Sequence, residues 1–408
     1  MQLIRRYFAR LPLTERVTHY RELWSAALYG VFNGLTLSLS TIVAQRIGVS
    51  TTQMAVMLAV PFVGQLLNLY FGHLTAKSNP TPLVFWPGFV SRTLLVGMVF
   101  VRTPEPYFLL MSAYNLVSAF SGPAYASIMR SNYGERHRGK LMGNARIVIM
   151  LSSGLFSFLA GTALELLPGG YRWIFPLGAL FGGASSLAFR PIRVRRSSDT
   201  RPAAHAAFLD TLRSLRKDKV YIAFQLLLLL CTGPNKLAIP LEPIWFVDHL
   251  HIDYHQAGLF LGTVYSVCCI LGYLAWGRLT RNRDPHPLLM MVLTLYLFRY
   301  PVLALASKPG HLAFASVLAG FSDSGFELVM LFSVIRLSRG KSLAVAMGLH
   351  SAFLGVRGLV GPFIGNYLYT VVGLPIATIF WIITAATAVG ILAFGAFVLR
   401  LRRRPLSV

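Results

Sequence analysis

From Gly72 to Leu83 the chain reads GHLTAKSNPTPL, and from Gly277 to Leu288 it reads GRLTRNRDPHPL. Glycine, leucine, threonine, both prolines and the final leucine coincide at an offset of 205 residues. The stretch ahead of the first copy, IGVSTTQMA (Ile47 to Ala55), is echoed by LHIDYHQAG (Leu250 to Gly258) at an offset of 203. In these, Ser50 with Gln53 and Asp253 with Gln256 have the spacing of a helix-starting capping box. A third echo sets Arg138-Gly139-Lys140 against Arg339-Gly340-Lys341, with Met142-Gly143 and Met347-Gly348 following. Three ordered matches at offsets of 201 to 205 mark a chain built as two copies of one unit.

The material of each copy is apolar. Of 408 residues, 55% are hydrophobic and 13% charged, and mean hydropathy is +0.60. A soluble surface takes roughly 25% charge, so the chain reads as an integral membrane protein. A spanning helix needs about 20 mostly apolar residues. Segments of that kind fall at 22–46, 52–76, 82–102, 106–130, 141–166, 170–190, 220–247, 254–278, 286–306, 310–335, 342–368 and 373–399. Six per copy is an even number, so both copies face the same way and the repeat is parallel.

The net charge of +24 would suggest nucleic acid in a soluble protein, but its placement is topological. The N-terminus, every second loop and the C-terminus hold 29 of the 38 Lys and Arg residues, against Arg46, Arg102, Arg172 and Lys308 in the opposite loops. Cytoplasmic loops carry that excess, so both termini are expected in the cytoplasm, with no nucleic-acid partner. The expected organisation is a basic amphipathic N-terminus (1–21), a six-helix bundle (22–190), a cytoplasmic linker (191–219), a second bundle (220–399) and a basic tail (400–408). In the linker Phe208, Leu209, Leu212 and Leu215 recur at helical spacing. Two readings stand there, a helix on anionic headgroups and a solvated connector. No cleaved signal peptide is expected, and Cys231, Cys268 and Cys269 read as small buried hydrophobes.

Two parallel six-helix bundles, a cytoplasmic linker and glycine-bearing loops after the second and eighth spans resemble the major facilitator superfamily of secondary transporters, over essentially the whole chain. Gly72-x-Leu74 and Gly277-x-Leu279 stand where that superfamily carries its G-x-L-a-D-r-x-G-r-k loop, with Ala76 and Arg281 in place of the aspartate. Gly358-x-x-Gly361-Pro362-x-x-Gly365 is similar to a motif of drug exporters' fifth helix, here in the eleventh span. The resemblance implies an all-α membrane protein of twelve transmembrane helices, whose first, fourth, seventh and tenth helices line a central cavity. These carry Asn33, Asn115, Asn235 with Lys236, and Asp323 with Glu327. It also implies gating roles for Gly72, Leu74, Gly277, Leu279, Arg138 and Arg339.

An ionisable group at membrane depth is costly and faces a cavity or a partner. Arg92, Lys236, Asp323, Glu327, His350 and Arg357 are deep, while Arg146 and Glu242 lie nearer span ends. Asp323 and Glu327 share a helix face. They serve either as a proton-coupling or substrate site, or as static partners of Arg357 and Lys236, with gating a third role for Glu327. His350 reads as a core histidine or a coupling group, Arg92 as a helix clamp or a substrate contact, and Arg146 as snorkelling to the interface. Lys236 lies in CTGPNKLAIPLEPIW, where Pro234, Pro240 and Pro243 disturb the helix. Broken helices survive in a membrane only inside protein or beside water. Tyr29, Tyr114 and Trp245 are aromatic candidates on the same helices.

The expected function is alternating-access transport of a small solute, polar or anionic, possible coupling to protons included, with import and export both open. A non-transporting sensor on the same scaffold is the alternative. No catalytic or nucleotide-binding motif is present, so no enzyme activity, metal or cofactor is expected. The setting is a bacterial inner membrane, with a monomer in the lipid bilayer.

Overall fold

The computed structural model describes residues 11–77, 79–194, 213, 217–281, 283–337 and 343–403. Among these, twelve helical runs follow one another and no strand occurs. They are α1 (Leu13–Arg46), α2 (Thr51–Lys77), α3 (Pro80–Phe100), α4 (104–132), α5 (Glu135–Leu166), α6 (Tyr171–Phe189), α7 (219–249), α8 (Tyr254–Leu279), α9 (Pro285–Ala304), α10 (Pro309–Leu337), α11 (Leu343–Thr370) and α12 (Ile376–Arg403). Eight of the described helices are long and apolar enough on their own to cross a membrane. The order matches the twelve spans expected from hydropathy. Phe208, Leu209, Leu212, Leu215 and Arg339 lie outside the described residues.

The internal repeat is visible in the helix caps. At the start of α2, Ser50 Oγ accepts from Gln53 N at 3.2 Å while Gln53 Oε1 accepts from Ser50 N at 3.0 Å. Asp253 and Gln256 make the same reciprocal box before α8, at 2.6 and 3.3 Å. At the start of α3, Asn79 accepts from Thr81 N at 3.1 Å, and Asp284 accepts from His286 N at 3.1 Å before α9. Each cap satisfies backbone donors that a helix start leaves unpaired.

Within the first half α1 packs on α5 and α6, and within the second α10 packs on α8 and α9. The halves meet along α2–α11 and α5–α8. Under the repeat α2 corresponds to α8 and α5 to α11, so the two seams are copies of one contact. Small residues bring the backbones together: a Cβ on Gly161 would lie 2.4 Å from Tyr254 O, and one on Gly258 2.4 Å from Ser157 O.

Among the described residues the apolar core is continuous across the halves at one end. Phe32, Leu39, Ile42 and Met57 join Leu241, Trp245, Phe246 and Phe380 in a single buried cluster at the end far from the termini. Toward the termini the core splits, one cluster around Ile128, Met129 and Tyr133 and another around Phe224, Leu289 and Phe394. Polar contacts reinforce the sealed end. Gln45 Nε2 donates to Asp248 Oδ2 at 3.0 Å, Arg46 Nη2 to Ile252 O at 2.6 Å, and Tyr254 N to Glu165 Oε2 at 2.9 Å. Among the described residues, the apolar core shared by the two halves lies at that end.

α1 starts at Leu13, after Pro12, well ahead of residue 22. Its first turns bury Glu15, Thr18, His19 and Glu22, polar residues that a hydropathy window scores as outside the membrane. Their partners come from the α4–α5 turn. Gly134 N donates to Glu15 at 3.1 Å, His137 Nδ1 lies 2.9 Å from the same carboxylate, and Tyr125 donates to Glu22 at 2.5 Å. Tyr133 donates to Glu22 as well.

Candidate substrate cavity

α4 and α7 are interrupted near their middles by 3-10 turns at Ala119–Ser121 and Pro234–Lys236, and α1 nearer its far end at Leu37–Leu39. In α7 the cause is Pro234, followed by Pro240 and Pro243, each of which removes a backbone donor. The break carries Lys236. α11 fits against it because it lacks side chains there: a Cβ on Gly361 would sit 2.4 Å from Lys236 Cβ, and one on Gly365 1.9 Å from Leu237 O. On the next face a Cβ on Gly358 would strike the Phe62 ring of α2, at 2.0 Å. The glycine motif of α11 thus seats α11 between α2 and the break of α7.

Lys236 Nζ lies 5.4 Å from the centroid of Phe62, and the Arg357 guanidinium 5.4 Å from that of Phe326. Neither cation forms an ion pair among the described residues. Nε and Nη1 of Arg357 are buried without a hydrogen-bond partner. Lys236, Arg357 and Asp323 lie within Coulombic range of one another. Asp323 is held by hydroxyls, accepting from Tyr265 on α8 at 3.0 Å and from Tyr296 on α9. Two cations thus face one carboxylate already occupied by two donors. A buried donor left unmade costs about 1–3 kcal/mol, so Arg357 retains unmet capacity for a hydrogen-bond acceptor.

Glu327, one turn from Asp323 toward the termini, accepts from Tyr273 on α8 and meets Arg146 of α5 at 3.2 Å. Arg146 is therefore paired across the halves and does not snorkel to the interface. Static pairing of Asp323 or Glu327 with Lys236 or Arg357 is absent among the described residues. Glu327 is ten residues from the end of α10, about 15 Å at the helical rise. At that depth the side chains of Arg146 and Glu327 are still 46% and 49% exposed. The pair lies one helical turn from Asp323 on the side of the termini.

The remaining candidates make the following contacts within the protein. Asn33 donates to Ser153 Oγ of α5 at 2.8 Å, and Asn115 to Met57 O of α2 at 3.0 Å. Asn235 is buried and turned from the halves' junction, its carbonyl accepting from Tyr300 at 3.1 Å and its side chain 3.5 Å from Thr387. His350 is buried against Gln225, Nδ1 to Oε1 2.8 Å. Arg92 clamps α3 to α6 through Ser186 Oγ at 2.9 Å and Ser185 Oγ at 3.2 Å, and lies 4.6 Å from the Tyr29 ring. Tyr114 packs on Phe32, and Trp245 stacks on His249. Arg138 donates to Arg130 O and Tyr133 O, both at 3.1 Å, tying the end of α4 to α5. Gly72 and Leu74 close α2, and Gly277 and Leu279 close α8.

Sequence reasoning missed an ion pair inside the second half. Arg299 of α9 meets Glu242 of α7 at 2.9 Å, and Tyr300 donates to the same carboxylate at 3.2 Å. Tyr296, Arg299 and Tyr300 share one face of α9, spaced three and four residues apart. That face joins the α7 segment after the break to Asp323. The spacing was available in the sequence, but Glu242 and Arg299 each stand near a helix end and read as boundary residues.

The sequence matches the family profile described as Major Facilitator Superfamily over residues 23–235 and again over 226–408. A search of curated proteins found no match. Among solved structures, the nucleoside transporter NupG superposes with a TM-score of 0.69 at 14% identity, covering 93% of this chain and 99% of that one. A bacterial homologue of the human lysosomal transporter Spinster, inward-facing and unoccupied, gives 0.64 at 12% identity with 96% of each chain covered. Its inward-facing, occupied form gives 0.63. These similarities show the fold.

Proposed function

The chain belongs to the Major Facilitator Superfamily, and on that premise we propose that it moves a small organic anion across the membrane by alternating access. It is a multi-pass membrane protein with the fold of a secondary transporter. The observation that carries the substrate class is the Arg357 guanidinium, two of its nitrogens buried and unmet, beside Lys236 with no carboxylate in ion-pair reach. An anionic group bridging them supplies the missing acceptors, and Phe62 and Phe326 offer apolar surface to the rest of the solute.

Asp323 is the proton-coupling group in this reading. Between two tyrosine hydroxyls and within range of both cations, its charge compensates theirs when the site is empty. An arriving anion takes over that compensation of Lys236 and Arg357. His350, buried against Gln225, takes no part. With the termini in the cytoplasm, the closed end faces outward and the site opens inward through Arg146 and Glu327.

The test is a thermal-shift panel of mono- and dicarboxylates, organic phosphates and neutral nucleosides on purified protein. A ligand at about 100 times its Kd stabilises by about 2.7 kcal/mol. Organic anions are expected to raise the melting temperature and neutral compounds of similar size are not. Uptake of the stabilising anions into proteoliposomes under an inward proton gradient then checks coupling. Stabilisation by neutral nucleosides alone would overturn the substrate class.

A further inference from the structure

A cavity of about 330 Å³ lies between the start of α9 and the end of α12, away from the central site. Pro287, Met290, Met291 and Thr294 line it from α9, and Gly395 and Val398 from α12. It faces outward: Met291 is 52% exposed and Leu399, beside it, 57%. The one hydroxyl in its wall, of Thr294, is already spent on Met290 O at 2.9 Å. The groove therefore offers mainly apolar surface. Gly395 keeps it open, since a Cβ there would come within 3.1 Å of Met290 Cε.

The mouth of the groove is basic. α9 begins at Pro285, just after Arg281 and Arg283, and α12 turns from apolar to basic at Arg400, next to Leu399. All three arginines are exposed. The one carboxylate in these stretches, Asp284, is engaged by Arg336 at 3.1 Å and His286 at 2.9 Å. Hydrocarbon-shaped space below and uncompensated positive charge at the headgroup level are the two halves of an amphiphile's negative image.

We propose that this groove is a binding site for an anionic phospholipid of the bilayer, one acyl chain lying between α9 and α12 and the phosphate held by Arg283 and Arg400. The inference does not depend on the transport reading, because neither helix end lines the central cavity.

Native mass spectrometry of the purified protein, incubated with equimolar phosphatidylglycerol and phosphatidylcholine of identical acyl chains, tests it. The wild type is expected to retain one phosphatidylglycerol with at least fivefold preference. Arg283→Gln with Arg400→Gln is expected to remove the preference, and Gly395→Phe to remove the bound lipid while the melting temperature stays near wild type. If Gly395→Phe does not fold, Met291→Trp fills the groove from its lipid side. Equal retention of the two lipids by the wild type, or undiminished phosphatidylglycerol on the filled groove, overturns the proposal.

Discussion

Arg146 on α5 and Glu327 on α10 meet at 3.2 Å across the junction of the two halves, in the otherwise split, termini-facing side of the molecule. Both are half exposed, and an exposed pair contributes only about 0–1 kcal/mol to stability. A charge swap separates a part in the conformational equilibrium from a merely structural contact. Glu327→Arg is expected to cut uptake severalfold while leaving the melting temperature nearly unchanged, and Arg146→Glu combined with it to restore uptake. A double variant no better than the single would show that the contact carries no coupling.

The sealed end can be read by cross-linking. Gln45 and Asp248 are joined by a 3.0 Å hydrogen bond between the halves, so cysteines placed at both positions are expected to cross-link readily. Gly161→Val, which pushes a side chain into Tyr254 O at the α5–α8 seam, should lower that yield. An unchanged yield would mean that the seam tolerates separation without opening the end.

Glu22 is 2% exposed and accepts from two tyrosines. Glu22→Leu leaves both hydroxyls without their acceptor, at about 1–3 kcal/mol each, whereas Glu22→Gln keeps one acceptor oxygen. Thermal unfolding in detergent should rank wild type above Glu22→Gln and Glu22→Gln above Glu22→Leu. Equal melting temperatures for all three would remove the proposed anchoring of α1 on the α4–α5 turn.

Asp284 gives the second half an acid-sensitive cap that the first half lacks. Burial alone would push its carboxyl up, but the His286 backbone N–H, the His286 ring and Arg336 outweigh it and hold the group below the usual carboxylate range. A depressed carboxyl adds stability that is present above its unfolded pKa, about 3.9, and lost as pH falls through the folded value. Asp284→Asn is therefore expected to lower the melting temperature at neutral pH and to flatten its fall below about pH 4. The same slope in both proteins would place the acid sensitivity elsewhere.

The fold was legible because its signals are periodic and additive: apolar runs, two capping boxes, and the asymmetric Lys and Arg loops. The start of α1 was not, since Glu15, His19 and Glu22 are buried through partners a hundred residues away, at Tyr125, Tyr133 and His137. The site was legible in part. Pro234 and Lys236 announced the break in α7 and its cation, and Arg357 stood out by depth alone. Depth does not give direction, however. The side chain of Asn235, adjacent to Lys236, turns toward Thr387, and Asp323 is met by tyrosines where cations were one of the expected partners.

The central claim rests on Lys236 and Arg357 holding an anion. The most direct test is uptake of a panel anion that stabilises the purified protein into proteoliposomes, with wild type compared to Lys236→Gln/Arg357→Gln. The double variant is expected to fold, to lose the thermal shift and to take up the anion at least tenfold more slowly. Wild-type uptake and thermal shift in the double variant would contradict it.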